Sequence, residues 1–196
     1  MKVILASTSP RRKELLEQAG ISFETDSSDT DESVKKYLTP ADYVEELSFR
    51  KASAVAPRHP DDIIIGADTV VVFEDEILGK PDDAEDAYKM LSRLSGRTHS
   101  VYTGVTIMFP LPSGEPETET FHVKTDVKMY DLDSEFIRTY AYSGEPLDKA
   151  GAYGIQGQGA LLVERIEGDY CNVVGLPIAE LYRRIRKKEE EKGEPF

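Results

Sequence analysis

The chain holds a single cysteine, Cys171, in 196 residues. One thiol excludes an internal disulfide and suits a reducing compartment. With no nucleophile signature around it, Cys171 reads as a small packed side chain. Positive charge is also scarce: 24 Lys and Arg stand against 37 Asp and Glu, a formal net charge of -13 with a pI near 4.7. That field repels nucleic acid and anionic membrane surfaces, so an anionic ligand needs a local concentration of Arg and Lys. Apolar runs are short. The N-terminal one covers only residues 3–6, below the length of a signal-peptide core, and no stretch approaches the ~20 apolar residues of a membrane span. The three histidines, His59, His99 and His122, match no zinc spacing. A Walker loop, G-x-x-x-x-G-K-[ST], is missing. These absences lead us to expect a soluble cytoplasmic protein that is neither a nucleic-acid binder nor a P-loop NTPase.

What remains is rich in helix and strand signals. Residues 3–6 read as a short buried strand, followed by a helix with Ser9 as its cap, Pro10 at its first position and Gly20 at its end. A second helix starts at Thr39-Pro40 and presents Tyr43, Val44 and Leu47 on one face. "IIIGADTVVVF" (63–73) is a nearly continuous apolar run, the pattern of a buried central strand, and an acidic turn follows it. Asp82 is the expected cap of a third helix with Ala84, Ala87, Tyr88 and Leu91 on its apolar face. Residues 98–109 and 119–129 read as strands joined by the surface loop "PLPSGEPETE". A short helix carries Phe136, Ile137, Tyr140 and Ala141. Residues 160–166 and 170–174 read as a hairpin turning at Gly168-Asp169. The last helix bears Ile178, Leu181, Tyr182 and Ile185, then gives way to "RKKEEEKGEPF". Interleaved helices and hairpins predict an α/β fold, a mixed sheet flanked by helices. With no repeat and no linker, one domain spans residues 1–186, and 187–196 form a charged tail.

Three segments resist a purely structural reading. In "LASTSPRRKELLEQAG" (5–20) a strand, a hydroxyl-rich turn and a helix start together form an anion site. Arg11 and Arg12 on the first turn oppose the helix dipole. They suit a multiply charged, phosphate-like ligand, or else pair with Glu14 or Glu17 in solvent. Asp68 interrupts an apolar strand, where a carboxylate is costly unless it is paired, metal-bound or facing a cleft. Gly66 would permit a bulge that turns it toward a ligand, as a metal ligand or general base. Alternatively, Asp68 and Thr69 form a turn between two strands. In "GEPLDKAGAYGIQGQG" (144–159), five glycines allow close backbone approach, with Tyr153 as a stacking ring and Gln156 as a base-reading amide; the bland alternative is a long flexible connection. Lys51 and Lys80 are lone lysines nearby, each either a surface charge or a cation of the site, and Lys149 either touches phosphate or pairs with Asp148. Asp29, Asp31 and Glu32 in "DSSDTDES" either supply oxygen ligands to Mg2+ or Mn2+ or form a solvated loop.

The ordered segments "LASTSPRRKELL", "DTDE", "RKA", "IGADTVV", "LGKP", "LSGRTHSVYTGV", "GEPLDKAGAYGIQGQGA" and "GDYCNVVGLP" resemble the Maf family of nucleotide pyrophosphatases over residues 5–177. "GAYGIQG" (151–157) is similar to the branch acting on dTTP and UTP. The resemblance implies an inosine-triphosphatase-like fold, an elongated mixed sheet with helices outside and a cleft between two lobes. It implies hydrolysis of a nucleoside triphosphate to the monophosphate and pyrophosphate with a divalent metal, Mg2+ or Mn2+, and a homodimer. By motif, Asp68 corresponds to the family's catalytic acid/base and metal ligand, with Lys51 and Lys80 as catalytic cations. Ser7 and Arg11 correspond to phosphate contacts, Arg12, Thr69 and Gln156 to base selection, and Glu32 to a second metal ligand. The family's designation as a septum formation inhibitor implies an alternative, a non-enzymatic nucleotide-binding regulator of cell division.

Overall fold

The apolar run at residues 63–73 is the spine of the sheet in a computed structural model, which describes residues 1–27, 39–112 and 114–193. Seven strands make up the sheet: β1 (Val3–Leu5), β2 (Phe23–Thr25), β3 (Ile63–Phe73), β4 (Glu76–Leu78), β5 (Thr98–Phe109), β6 (Glu117–Met129) and β7 (Val163–Glu167). Their order is β2-β1-β3-β5-β6-β7, with β4 paired separately to β3. The first three neighbours run parallel and every other pair is antiparallel, so the sheet is mixed as expected. The helices are α1 (Pro10–Gln18), α2 (Pro40–Val55), α3 (Ala84–Leu94), α4 (Ser134–Ala141), α5 (Tyr170–Val174) and α6 (Ile178–Lys192).

Alternation along β3 divides the molecule. Ile63, Ile65 and Ala67 join one apolar cluster with Leu15 and Leu16 of α1, Val105 and Ile107 of β5, and Leu181 and Ile185 of α6. Further along the same strand face, Val71 and Phe73 join a second cluster with Leu91 and Leu94 of α3 and Ile137 of α4. Thr69 sits between the two clusters on that face, at the junction of the two lobes. The other face of β3 meets α2, because residues two apart on a strand point the same way. Ile64 packs there with Ala52 and Val55. A Cβ on Gly66 would lie 2.2 Å from the Ser48 carbonyl oxygen, and one on Gly104, its near neighbour on β5, 2.2 Å from that of Val44. Two glycines thus form the groove in which α2 lies against the sheet.

Several expectations need correction. Gly66 makes no bulge: β3 pairs with β5 in unbroken register from Ile64↔Met108 to Val72↔Ser100, which also excludes a turn at Asp68-Thr69. Ser9 occupies the cap position of α1, yet its hydroxyl makes no capping hydrogen bond. The cap of α3 is Asp83 rather than Asp82; its carboxylate accepts from Asp86 N at 2.8 Å. Residues 170–174 are not a strand. Asp169 caps them as the helix α5, accepting from Cys171 N at 2.7 Å, and β7 pairs instead with β6. The charged C-terminal stretch begins as a helix end: α6 runs past Arg186 to Lys192 and ends at Gly193. Residues 144–159 are folded rather than loose, with 3-10 turns at Glu145–Asp148, Ala150–Ala152 and Gly157–Leu161. Glu145 anchors them, accepting from Gln158 N, Gly159 N and the Tyr140 hydroxyl at 3.0–3.3 Å.

Candidate active site

A gap in the sheet makes the site. On the side of β3 away from β5, β1 pairs with residues 63–65 and β4 with residues 71–73. Among the described residues, 66–70 have no strand partner on that side. Beyond Leu5 the chain leaves the sheet through residues 6–9 and enters α1. The edge of β3 is therefore open where Asp68 and Thr69 sit, and both faces of the strand reach one cleft of about 620 Å3. Ser7, Arg11, Arg12, Lys51, Asp68, Thr69, Lys80 and Gln156 all line it, brought together from five separate segments. Glu32, Asp29 and Asp31 lie outside the described residues.

On the α2 face, the Asp68 carboxylate receives the Lys51 ammonium at 2.6 Å, with side-chain exposures of 12% and 15%. That pairing answers the burial cost raised by an acid in an apolar strand. The groove formed by Gly66 and Gly104 sets α2 deep enough for Lys51 to reach. Lys51 uses only Oδ1 of Asp68; Oδ2 makes no hydrogen bond among the described residues. No group of three or more His, Cys, Asp or Glu among them could hold a metal ion unaided. A single carboxylate with an open oxygen in a cleft that Arg11 and Lys80 also line fits Mg2+ or Mn2+, which bind through one or two carboxylates plus phosphates of a ligand.

On the opposite face, Arg12 is buried to 9% exposure and held by several acceptors. Its Nε donates to the Gly175 carbonyl at 2.8 Å, and its terminal nitrogens donate to Ser7 Oγ at 3.2 Å and Thr69 Oγ1 at 3.1 Å. The carbonyl comes from the end of α5, where helix termini leave C=O groups without helical partners. Arg11 turns the other way. It pairs with Asp148 at 2.8 Å, and Lys149 pairs with the same carboxylate at 2.7 Å. Partial burial pushes the Asp148 carboxyl up, but hydrogen bonds from Lys149 and Arg11 outweigh it and hold its pKa at about 2. Neither arginine pairs with Glu14 or Glu17. Their counterparts come from residues far along the chain, which is how two cations are tolerated on the first turn of α1.

Lys80 makes no hydrogen bond or ion pair among the described residues, and neither does the Gln156 amide. Both are available to a ligand. Tyr153 is not an open stacking ring: it is 5% exposed, its hydroxyl is 2.6 Å from His99 Nε2, and the rings meet edge to face. That wall also carries Asp148, Lys149 and Gln156 on the cleft. Residues that sequence reasoning passed over include Thr103, Asn172 and Gly175, which support Thr69 and Arg12 from beneath. A threonine within a strand carries no sign of what lies opposite it, and a carbonyl carries none at all.

A sequence model of the family described as "Maf-like protein" matches residues 2–188. The chain is 52% identical over 186 residues to a Bacillus cytotoxicus protein named dTTP/UTP pyrophosphatase, covering 95% of each. It is 50% identical over 186 residues to a Bacillus anthracis protein of the same name, again covering 95% of each. Among solved structures, the Staphylococcus aureus Ham1 protein shares the fold at 15% identity and a TM-score of 0.50, over 94% of this chain and 100% of that one.

Proposed function

The chain belongs to the Maf family, and from that membership and the cleft we propose that it hydrolyses dTTP and UTP to the monophosphate and pyrophosphate. Relatives named dTTP/UTP pyrophosphatase at 50–52% identity support the substrate. The observation that carries the reading is the Asp68–Lys51 pair at 2.6 Å in a cleft that Arg11, Arg12 and Lys80 also line. A negative charge facing phosphates opposes binding, so a pure binder gains nothing from Asp68, whereas a hydrolase needs it.

In this reading Asp68 orients a water and takes its proton through Oδ2 as the water oxygen bonds to the α-phosphorus. The bond from that phosphorus to the bridging oxygen breaks, and pyrophosphate leaves. Lys51 fixes the carboxylate through Oδ1. Lys80 and Arg11 meet the charge accumulating on the phosphoryl oxygens, Arg11 exchanging Asp148 for phosphate, and Ser7 contributes its hydroxyl. Alternatively, Asp68 Oδ2 together with Glu32 and the substrate phosphates would hold a divalent cation, Mg2+ or Mn2+, which would supply neutralisation of those oxygens. Arg12, Thr69 and Gln156 form the base-selecting wall. The lone cysteine suits a cytoplasmic protein, and the family resemblance implies a homodimer, which light scattering of the purified protein checks.

The test is pyrophosphate release from dTTP, UTP, CTP and purine triphosphates, with Mg2+, with Mn2+ and with chelator; 5-methyl-UTP and pseudouridine triphosphate belong in the panel. Metal-dependent turnover with dTTP and UTP ahead of CTP is expected. No turnover of any nucleotide would overturn the proposal, and tight binding without release would favour the nucleotide-binding regulator.

A further inference from the structure

Thr103 touches neither of the groups assigned to chemistry, yet it stands directly behind one assigned to the base. It is fully buried on β5, paired with Thr69 across the ladder to β3. Its Oγ1 lies 3.0 Å from the Asn172 carbonyl oxygen and 2.9 Å from Thr69 Oγ1. A carbonyl only accepts, so the one hydroxyl hydrogen of Thr103 goes to Asn172. The 2.9 Å contact between the two threonines is then a hydrogen bond only if Thr69 supplies the hydrogen. The other acceptor within reach of Thr69, the Gly175 carbonyl, is at 3.4 Å and already receives Arg12 Nε at 2.8 Å. Thr69 is thereby left as an acceptor toward Arg12, whose terminal nitrogen donates to it at 3.1 Å. Donation runs one way, from Arg12 to Thr69 to Thr103 to the Asn172 carbonyl. The far end is firmly held, because the Asn172 amide donates to the Val101 carbonyl at 3.1 Å and to Thr125 Oγ1 at 3.0 Å.

Resting on the proposed function, we infer that Thr103 is a positioning residue for base selection, acting through Thr69 to keep Arg12 seated as a donor against the pyrimidine. A guanidinium held by acceptors presents N–H groups to whatever enters beside it. Those groups meet a carbonyl oxygen at position 4 of uracil or thymine and oppose the amino group that cytosine carries there. Were the Thr69 hydrogen turned back toward Arg12, two donors would face each other and the guanidinium would lose one of the acceptors that hold it. Thr103 prevents this without contacting the nucleotide.

Thr103→Val removes the acceptor for Thr69 at nearly constant volume, and Thr103→Ser retains it. We expect Thr103→Val to lower the UTP-over-CTP ratio of kcat/KM by about 3- to 10-fold, the range of one hydrogen bond. The change should lie mainly in KM for UTP, with kcat within about 2-fold, and Thr103→Ser should restore the ratio. Thr103→Ala reads the same ratio if the valine variant does not fold. A lowered Tm with the ratio unchanged would make Thr103 a purely structural residue and overturn the inference, as would a serine variant that behaves like valine. Should the wild-type protein hydrolyse nothing, the proposed function fails; the inference is then read from the UTP-over-CTP ratio of dissociation constants, and an unchanged ratio there overturns it.

Discussion

Asp68 and Thr69 are adjacent in β3 and serve opposite faces of the sheet with different chemistry. On the α2 side a carboxylate meets one ammonium at 2.6 Å. On the α1 side a guanidinium is held by two hydroxyls and a carbonyl at 2.8–3.2 Å. The first arrangement has a charge to move and one oxygen uncommitted; the second holds a guanidinium in place. A strand can do this because its side chains alternate, and the missing partner along residues 66–70 lets both faces open into one cleft. The difference suggests a division of labour, with rate on the Asp68 face and selection on the Thr69 face.

The strongest way to break that division is to remove one side at a time. Asp68→Asn should lower kcat for UTP by about 10²–10⁴-fold, the contribution of one general base, with KM much less affected. Thr69→Val should do the reverse, raising KM for UTP several-fold while kcat stays near wild type. Steady-state kinetics that showed equal kcat losses in both variants would merge the two faces into one unit. A second test displaces the α2 face alone. An alanine Cβ at position 66 would meet the Ser48 carbonyl oxygen at 2.2 Å and the Ala52 backbone nitrogen at 2.8 Å, so α2 must move and Lys51 with it. Gly66→Ala is expected to destabilise the fold by about 1–3 kcal/mol, as overpacking does, and to reduce kcat more than it changes the UTP-over-CTP ratio. Urea denaturation and the nucleotide panel read both.

The smallest effect concerns the support beneath the selecting wall. Burial lowers the His99 pKa from 6.5 to about 4, with a weaker opposing contribution from Asp126. Between those values the unfolded chain binds a proton that the folded protein refuses, so stability falls as pH drops below 6.5. From pH 7 to pH 5 this contributes a loss of roughly 2 kcal/mol, at 1.36 kcal/mol per unit. Urea midpoints of wild type and His99→Gln at both pH values should show a shallower pH dependence in the variant. An identical dependence would mean that His99 is not held neutral against Tyr153.

Much of the frame could be read from the chain. The run "IIIGADTVVVF" is a strand buried at nine of its eleven positions, and the helix starts at Pro10, Pro40 and Ser134 follow from local caps and prolines. What was misread has local causes as well. "YCNVV" favours a strand by composition, yet Asp169 supplies a cap and the segment becomes α5. Strands β2 and β4 span three residues each, too few for a period to show. In the cleft, Arg11, Arg12 and Asp68 announced themselves as charges in places that disfavour charge. Gly66 in the sequence reads as a bulge, whereas its place depends on a helix that approaches from residues 40–55.

Composition and pattern by themselves determined a mixed α/β chain, acidic overall, with cations concentrated at one helix start and an acid set into an apolar strand. Those properties depend on neighbours a few residues apart, whose energies are local. Tertiary structure alone decided who compensates whom: Arg12 by a carbonyl 163 positions away, Arg11 by a carboxylate 137 positions away, and Asp68 by Lys51 across a groove of two glycines. Charge in low dielectric can be satisfied by any partner of opposite sign or any aligned dipole. Only the packing of the sheet and its helices selects which one arrives, and the same packing leaves the edge of β3 open beside them.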